Sequence, residues 1–257
     1  MVLRRVIDHV REQNWTAIGI DFVIVVLGVF VGIQVSNWNA SRLEAQRAQG
    51  YLERIAADLA EDVSTLERRG AFWKKVIAYG HVAIDYAEQG TLAEDSAWKT
   101  VLAFYQASQL YPYVPADTTY LELRSAGNLG LIADHDVRAA LAGYYVGGTG
   151  YAANALFRAE PEYRKVVRGL TPTVASTQVW AKCHRTDENA DQFLFDCDSP
   201  MSEQAARDVL DAYMADPRLL PELRFWITNL EVMASLISKH QAAAQKLAAR
   251  LQKAHST

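Results

Sequence analysis

Apolar positions are unevenly spread along the chain, and the longest apolar run lies near its beginning. Residues 17–35 read AIGIDFVIVVLGVFVGIQV, in which only Asp21 and Gln34 are strongly polar. A helix of this length extends about 28 Å, close to the roughly 30 Å hydrocarbon core of a bilayer. The run therefore predicts a transmembrane helix over 17–35, preceded by a short N-terminal segment, 1–16.

The flanks of this run help to separate three interpretations: a membrane anchor, a buried core helix and a cleavable signal peptide. Trp15 and Trp38 flank the run, where indole rings favour the two membrane interfaces. A core helix is disfavoured because the apolar residues cover every face of the helix. A signal peptide is disfavoured because residues 36–43, SNWNASRL, contain no small-residue cleavage site. A retained anchor is the favoured interpretation.

The orientation of the anchor is predicted from flanking charge and from the cysteines. Three arginines lie in residues 1–16 and two in residues 36–47, which favours a cytoplasmic N-terminus. Cys183 and Cys197 are the only cysteines, and a disulfide between them would suit an oxidising periplasm. Two unpaired thiols are the alternative. Both features favour a cytoplasmic N-terminus and a periplasmic domain over residues 36–257.

Two glycines inside the run provide a surface for helix pairing. Gly28 and Gly32 form a G-x-x-x-G pattern, which lets a second helix backbone approach closely in lipid. The pattern predicts a homo-oligomer or a partner membrane protein. The alternative is that glycine is simply frequent in membrane helices. Asp21 is expected near the interface, at the positive end of the helix.

Beyond the anchor, apolar residues recur with helical spacing throughout the chain. Residues 40–69 predict a long helix that could continue from the anchor without a break, with its seam at Leu52, Ile55, Leu59 and Leu66 and its end at Gly70. Further helices are predicted at 71–89, at about 95–110, near Tyr120, from the capping residue Asp134 to Tyr145, at 151–169 with a break at Pro161, from Ser199–Pro200, and from Pro221 onward. Residues 171–199 are predicted to be irregular, and no strand is predicted.

The last helix has the clearest pattern. Its apolar seam steps three and four residues at a time through Leu223, Trp226, Leu230, Met233, Ile237, His240, Ala244, Leu247 and Leu251. This rhythm is typical of bundle and coiled-coil packing. The predicted partner is the 40–69 helix, antiparallel to it. The sequence thus predicts an all-α protein, a membrane helix continuing into a long helix of an extramembrane bundle.

Candidate chemical groups are few. The formal charge is −4, from 26 basic and 30 acidic side chains without a basic run, so nucleic-acid binding is disfavoured. His135 lies between two aspartates, and His240 occupies the seam of the last helix as either a pH switch or a partly buried polar residue that fixes register. Neighbouring Cys183 and His184 could act as nucleophile and base, but adjacent residues rarely face each other. No cofactor or metal site is predicted.

Tyrosines are concentrated in the segment 105–120. Tyr111, Tyr113 and Tyr120 could line a groove for a small ligand. The alternative is that their rings pack beneath the loop that carries Pro112 and Pro115.

Two stretches resemble a family of uncharacterised bacterial single-pass membrane proteins. They are NWTAIGIDFVIVVLGVFVGIQVSNWN at 14–39 and TYLELRSAGNLGLIADHDVRAALAGYY at 119–145. The resemblance is carried by the NWN after the span, by Leu121 with Leu123, by the SAGNLGLI turn and by VRAALAGYY. It implies one N-terminal membrane helix and a helical extramembrane domain, and it transfers no activity or binding residue.

These features together predict a non-enzymatic protein of a Gram-negative inner membrane. The expected role is scaffolding, assembly or signalling through helix–helix contacts. A periplasmic sensor that binds a small ligand in the 105–120 region is the first alternative. An unrecognised hydrolase or thiol enzyme is the second.

Overall fold

The structure, a computed structural model, describes residues 15–148 and 160–255. The described residues form eight α-helices and one two-stranded sheet, so the predicted all-α fold is confirmed. By their packing, the residues divide into two units, Met1–Tyr51 and Leu52–Thr257. The predicted N-terminal segment lies almost entirely outside the described residues.

The elements follow one another in this order. The helices are α1 Trp15–Gln89, α2 Ala97–Gln106, α3 Thr118–Ser125, α4 His135–Tyr145, α5 Glu162–Leu170, α6 Thr173–Gln178, α7 Glu203–Ala215 and α8 Leu219–His255. The strands are β1 His184–Thr186 and β2 Gln192–Leu194. Two short 3-10 helices, Ala93–Asp95 and Asn128–Leu131, and one π-helical turn, Val179–Cys183, complete the described structure.

Helix α1 contains both the predicted membrane segment and the predicted 40–69 helix, without interruption. The predicted end at Gly70 is wrong, because α1 continues to Gln89. A glycine within a helix costs only about 1 kcal/mol relative to alanine. Buried apolar side chains on both sides of Gly70, among them Leu66 and Trp73, outweigh that cost. The helix ends instead at Gly90, whose φ of 73° is left-handed.

Helix α8 confirms its predicted seam, since all nine of the seam residues are buried. The helix begins at Leu219, which places Pro221 in its first turn, where the missing N–H costs no hydrogen bond. Its contacts with α1 include residues 73–88, which lie beyond the predicted partner segment 40–69. The rings of Trp73 and Trp226 meet edge to face with centroids 6.3 Å apart.

The two long helices are antiparallel in the bundle and approach closely at one glycine. Arg224 Nη2 is 2.6 Å from Glu88 Oε1, and His81 Nε2 is 3.0 Å from Glu231 Oε1. Next to His81, a Cβ atom placed on Gly80 would overlap the side chain of Ile227. Ile227 is buried, so a larger residue at position 80 would force this side chain to shift within the core.

The start of α4 is predicted correctly, whereas the start of α3 is not. Asp134 Oδ1 accepts hydrogen bonds from the backbone N–H groups of Asp136 and Val137, at 2.8 and 3.1 Å. Helix α3 begins at Thr118, two residues before the predicted start near Tyr120, so Thr119 is not the capping residue that its spacing with Glu122 suggests. Glu122 instead accepts two hydrogen bonds from Arg54 of α1, at 2.7 and 3.2 Å.

Two later helices also differ from the predicted boundaries. Helix α5 begins after Pro161, as predicted for a break there, and residues 151–159 lie outside the described residues. Helix α7 begins at Glu203, because the hydroxyl of Ser202 caps it; the predicted start at Ser199–Pro200 is three residues early. Near the end of α7, Tyr213 is buried and Met214 is 38% exposed.

The segment 171–199 is more regular than predicted. It contains α6, the π-helical turn and an antiparallel hairpin of β1 and β2, in which His184 pairs with Leu194 and Thr186 with Gln192. Strands of three residues are too short to produce a recognisable alternation of polar and apolar side chains. The hairpin is held instead by contacts with other helices, such as the hydrogen bonds from Lys75 of α1 and Gln106 of α2.

Candidate functional site

Among the described residues, the longest run of exposed apolar side chains lies at 20–35 of α1. Twelve large apolar side chains between Ile20 and Val35 are 48–68% exposed. One helix among the described residues is long and apolar enough to cross a membrane, and none of the most apolar window is buried. A core helix is therefore the wrong interpretation of residues 20–35. Leaving these side chains in water would cost on the order of 10 kcal/mol or more.

The predicted packing glycines lie on this surface. Gly28 and Gly32 are one helical turn apart on the same face, and no atom lies within 4 Å of a Cβ built on either residue. The face is therefore open to a second helix. Trp38 is 68% exposed, and the side chain of Trp15, at the first residue of α1, lies outside the described side chains.

The sequence pattern missed a buried carboxyl group in the seam of α1. Asp62 is 1% exposed and continues the 4-3-4 spacing of Ile55, Leu59 and Leu66. One of its oxygen atoms accepts a hydrogen bond from the backbone N–H of Ala116 at 2.7 Å. The other accepts a hydrogen bond from the hydroxyl of Tyr144 at 2.8 Å. Burial raises the pKa of Asp62, although these hydrogen bonds oppose the shift.

The seam of α8 contains a matching polar residue, His240. Its ring is stacked on that of Tyr144, with centroids 4.3 Å apart and planes at 5°. The ring of Tyr113 meets it edge-on at 5.7 Å. Burial lowers the pKa of His240 to about 4, so the imidazole is neutral at pH 7. Tyr144 thus connects the polar seam residues of both long helices, and we call Asp62, Tyr113, Tyr144 and His240 the polar seam cluster.

The tyrosines considered for a ligand groove are packed inside the bundle. Tyr111, Tyr113 and Tyr120 are 3%, 1% and 2% exposed. The ring of Tyr120 is stacked on that of Tyr145 at 4.7 Å. These side chains therefore pack beneath the loop. Tyr111 also borders a cavity of about 250 Å³ between α1 and β2.

A disulfide-linked hairpin is attached to α1 and α2. Cys183 and Cys197 lie at disulfide-bonding distance, with Cα atoms 5.3 Å apart, as the sequence predicted. Side chains of α2 hold both cysteine carbonyls: Gln106 donates to that of Cys183 at 2.9 Å, and Trp98 donates to that of Cys197 at 2.8 Å. The bonded sulfur of Cys183 is not a free thiolate, which a nucleophile would need to be.

A buried ion pair connects the same hairpin to α1. Asp191 is hydrogen-bonded to the hydroxyl of Tyr111, and its carboxylate is 3.4 Å from Nη1 of Arg69. The Arg69 guanidinium lies over the ring of Tyr111, 3.1 Å from its centroid. Burial lowers the pKa of Arg69 to about 10, opposed by the charge of Asp191. Lys75 adds a hydrogen bond to the carbonyl of Leu194 at 3.2 Å.

The other predicted chemical groups lie apart from one another. The side chain of His135 is 81% exposed at the start of α4, and its Nδ1 is 3.7 Å from Asp136. His184 contacts Gln192 within the hairpin at 3.2 Å. Within residues 15–148 and 160–255, the acidic, histidine and cysteine side chains form no group of three that could hold a metal ion.

Comparisons of the chain with family models, with curated proteins and with solved structures find no match. The resemblance to single-pass bacterial membrane proteins rests on the quoted sequence stretches alone.

Proposed function

We propose that the protein is a single-pass protein of the bacterial inner membrane, with a cytoplasmic N-terminus and a periplasmic helical bundle. One observation carries the proposal: between Ile20 and Val35, exposed apolar side chains cover every face of α1. A bilayer offers such a surface an apolar environment on all sides, whereas water does not. The cysteine pair supports the periplasmic location, because disulfides persist in oxidising compartments.

The proposed role is scaffolding, assembly or signalling through helix–helix contacts, without catalysis. The open glycine face of α1 supports it, since two small residues one turn apart allow a second copy of the helix to approach closely. The bundle supports it as well, because its two longest helices are held in register by buried polar residues rather than by apolar contacts alone.

Fractionation and cysteine labelling test the location. We expect the intact protein in the membrane fraction after an alkaline carbonate wash. A membrane-impermeant maleimide should label the cysteines of intact spheroplasts only after treatment with a reductant. Intact protein in the supernatant would overturn the anchor. Labelling that requires lysis of the spheroplasts would place the bundle in the cytoplasm.

Substitution of the glycines tests pairing. Gly28→Leu and Gly32→Leu should each reduce cross-linking of the protein in membranes several-fold. Gly19→Leu is the matched control, because nine residues place Gly19 about 180° around the helix from Gly28. Equal cross-linking in all three variants would exclude the glycine face as the contact.

A second candidate function is binding of a small ligand beside Tyr111. The observation that favours it is the cavity of about 250 Å³ that this ring shares with Phe72, Phe193 and Leu194. Its walls are mostly apolar, so it would fit an apolar group. Phe72→Trp should fill the cavity and abolish any rise in melting temperature that a ligand produces.

A further inference from the structure

A second cleft, between α4 and α8, has a different chemistry. Its volume is about 430 Å³, which is within the range of sites for small organic ligands. Its wall on α8 is formed by Lys239, Ala243, Lys246 and Arg250, whose 4-3-4 spacing follows the buried seam one residue away. Three of these four side chains are cationic, and we call this surface the cationic cleft.

Two of the three cations of the cleft have no acidic partner among the described residues. Lys239 and Lys246 are exposed, and neither has an ion pair with any residue in the described part of the chain. Arg250 lies 3.5 Å from Asp136, whose side chain is 78% exposed, and its charge also acts on the carboxylate of Asp134. Exposed cations repel one another, and an anion placed between them would relieve that repulsion.

The remainder of the cleft is apolar or neutral. Ala140, Gly143 and Leu247 contribute small or apolar surface. Among the described residues, nothing lies within 4 Å of a Cβ built on Gly143. His240 and Tyr144 of the polar seam cluster also border the cleft.

His240 adds a hydrogen-bonding group at the edge of the cleft. The residue is 4% exposed, and neither ring nitrogen is a fully buried atom without a hydrogen-bond partner. The neutral imidazole can donate one hydrogen bond and accept another.

We propose that the cationic cleft binds a small organic anion. Its anionic head group lies between Lys239, Lys246 and Arg250, and its apolar body covers Ala140, Gly143 and Leu247. A soluble carboxylate, sulfonate or phosphate ester has this chemistry, and so does the head group of an anionic lipid. The proposal does not depend on the membrane anchor or on the cavity beside Tyr111.

Calorimetric titration of the full-length protein in phosphatidylcholine nanodiscs tests the proposal, with naphthalene-2-sulfonate as the probe. We expect binding of one probe per chain beyond the heat of empty discs. Neutral naphthalene-2-sulfonamide should bind at least about fivefold more weakly, because the ion pairs are lost. No binding of the sulfonate, or equal binding of both compounds, would overturn the proposal.

Two variants with matched controls locate the site. Lys239→Ala with Lys246→Ala should raise the Kd of the sulfonate about fivefold or more, whereas Lys74→Ala, an exposed lysine on α1, should leave it unchanged. Gly143→Leu should abolish binding by filling the cleft. Gly169→Leu is its control, because Gly169 is also helical with open space around it. An unchanged Kd in both cleft variants would overturn the assignment of the site.

The lipid composition of the discs distinguishes the two sources of the anion. If the head group of an anionic lipid is the ligand, discs containing phosphatidylglycerol should raise the Kd of the sulfonate by competition. If a soluble anion is the ligand, the Kd should be the same in both kinds of disc. Either result supports the proposed chemistry once the sulfonate is shown to bind.

Discussion

The ring of His240 lies flat on the ring of Tyr144, while the hydroxyl of the same tyrosine donates a hydrogen bond to Asp62. Tyr144 of α4 therefore contacts two ionisable residues, Asp62 in the apolar seam of α1 and His240 in the apolar seam of α8. The two seam residues have opposite titration behaviour, because burial disfavours the charged form of both. Burial raises the pKa of the Asp62 carboxyl and lowers the pKa of the His240 imidazole.

His240 should make the bundle less stable as the pH falls. Its pKa is about 4 when folded and 6.5 when exposed, so between these values the unfolded chain binds a proton more readily than the folded chain. Stability from this residue is therefore complete above pH 6.5 and lost down to pH 4, by up to about 3 kcal/mol. Urea unfolding of the protein in a non-ionic detergent, between pH 4 and 7.5, measures the change.

The His240→Phe variant isolates this effect. Asp62 contributes a slope of opposite sign, since its raised pKa makes the folded state bind a proton more readily just above pH 3.8. That contribution is present in both proteins and cancels in the difference. We expect the free energies of unfolding of the two proteins to converge or cross as the pH falls. Parallel curves would contradict a buried neutral histidine.

Gly80 should be intolerant of even one methyl group. Gly80→Ala places a Cβ against Ile227, and overpacking of this kind costs about 1–3 kcal/mol. The loss should appear although alanine favours a helix by about 1 kcal/mol. Gly70→Ala in the same helix is the control, because no atom lies near its Cβ, and it should be neutral or stabilising. Equal effects of the two substitutions on the urea midpoint would refute the close approach.

Removing the disulfide should destabilise the bundle by about 3 kcal/mol, since the bond closes a loop with a sequence separation of 14. The double variant Cys183→Ser with Cys197→Ser tests this by urea unfolding. A reductant should lower the stability of the unmodified protein to that of the variant and leave the variant unchanged. A reductant that has no effect on the unmodified protein would show that the thiols are free.

The buried ion pair of the hairpin should matter more than an exposed one. Asp191→Asn leaves the Arg69 charge, whose side chain is 13% exposed, without its carboxylate, and should cost about 3 kcal/mol. Combining it with Arg69→Met should cost less than the sum of the single changes. Glu122→Gln breaks a pair whose side chains are about half exposed and should cost under about 1 kcal/mol. Similar losses for Asp191→Asn and Glu122→Gln would contradict this ranking.

Long periodic patterns identify the helices well in this protein. The nine seam residues of α8 and the cap at Asp134 follow from spacing and residue type, because both depend on interactions within the helix. The end of α1 cannot be predicted in this way. The helix continues past Gly70 because its side chains pack against residues more than a hundred positions away. Trp226 and Ile227 are examples of those distant residues.

The buried polar residues, the hairpin and the cationic cleft do not follow from the sequence pattern. Asp62 has the correct seam spacing, but a carboxylate at such a position is usually exposed, and only the spacing itself could have indicated that it is buried. The hairpin has no pattern of its own. Its strands are held in place by the Cys183–Cys197 pair and by the ion pair of Asp191 with Arg69 of α1. The sequence does not predict the cationic cleft, because its opposite wall, α4, comes from a distant part of the sequence.

The contact between Trp73 and Trp226 also affects how the protein is made. A ribosome adds about 5–20 residues per second, so roughly 8 to 30 seconds separate the synthesis of these two side chains. Throughout that interval the apolar stripe of the nascent first helix has no α8 to cover it. A chaperone that shields the emerging chain, and proteases that remove products truncated before residue 219, would therefore influence how much of the protein accumulates in the cell.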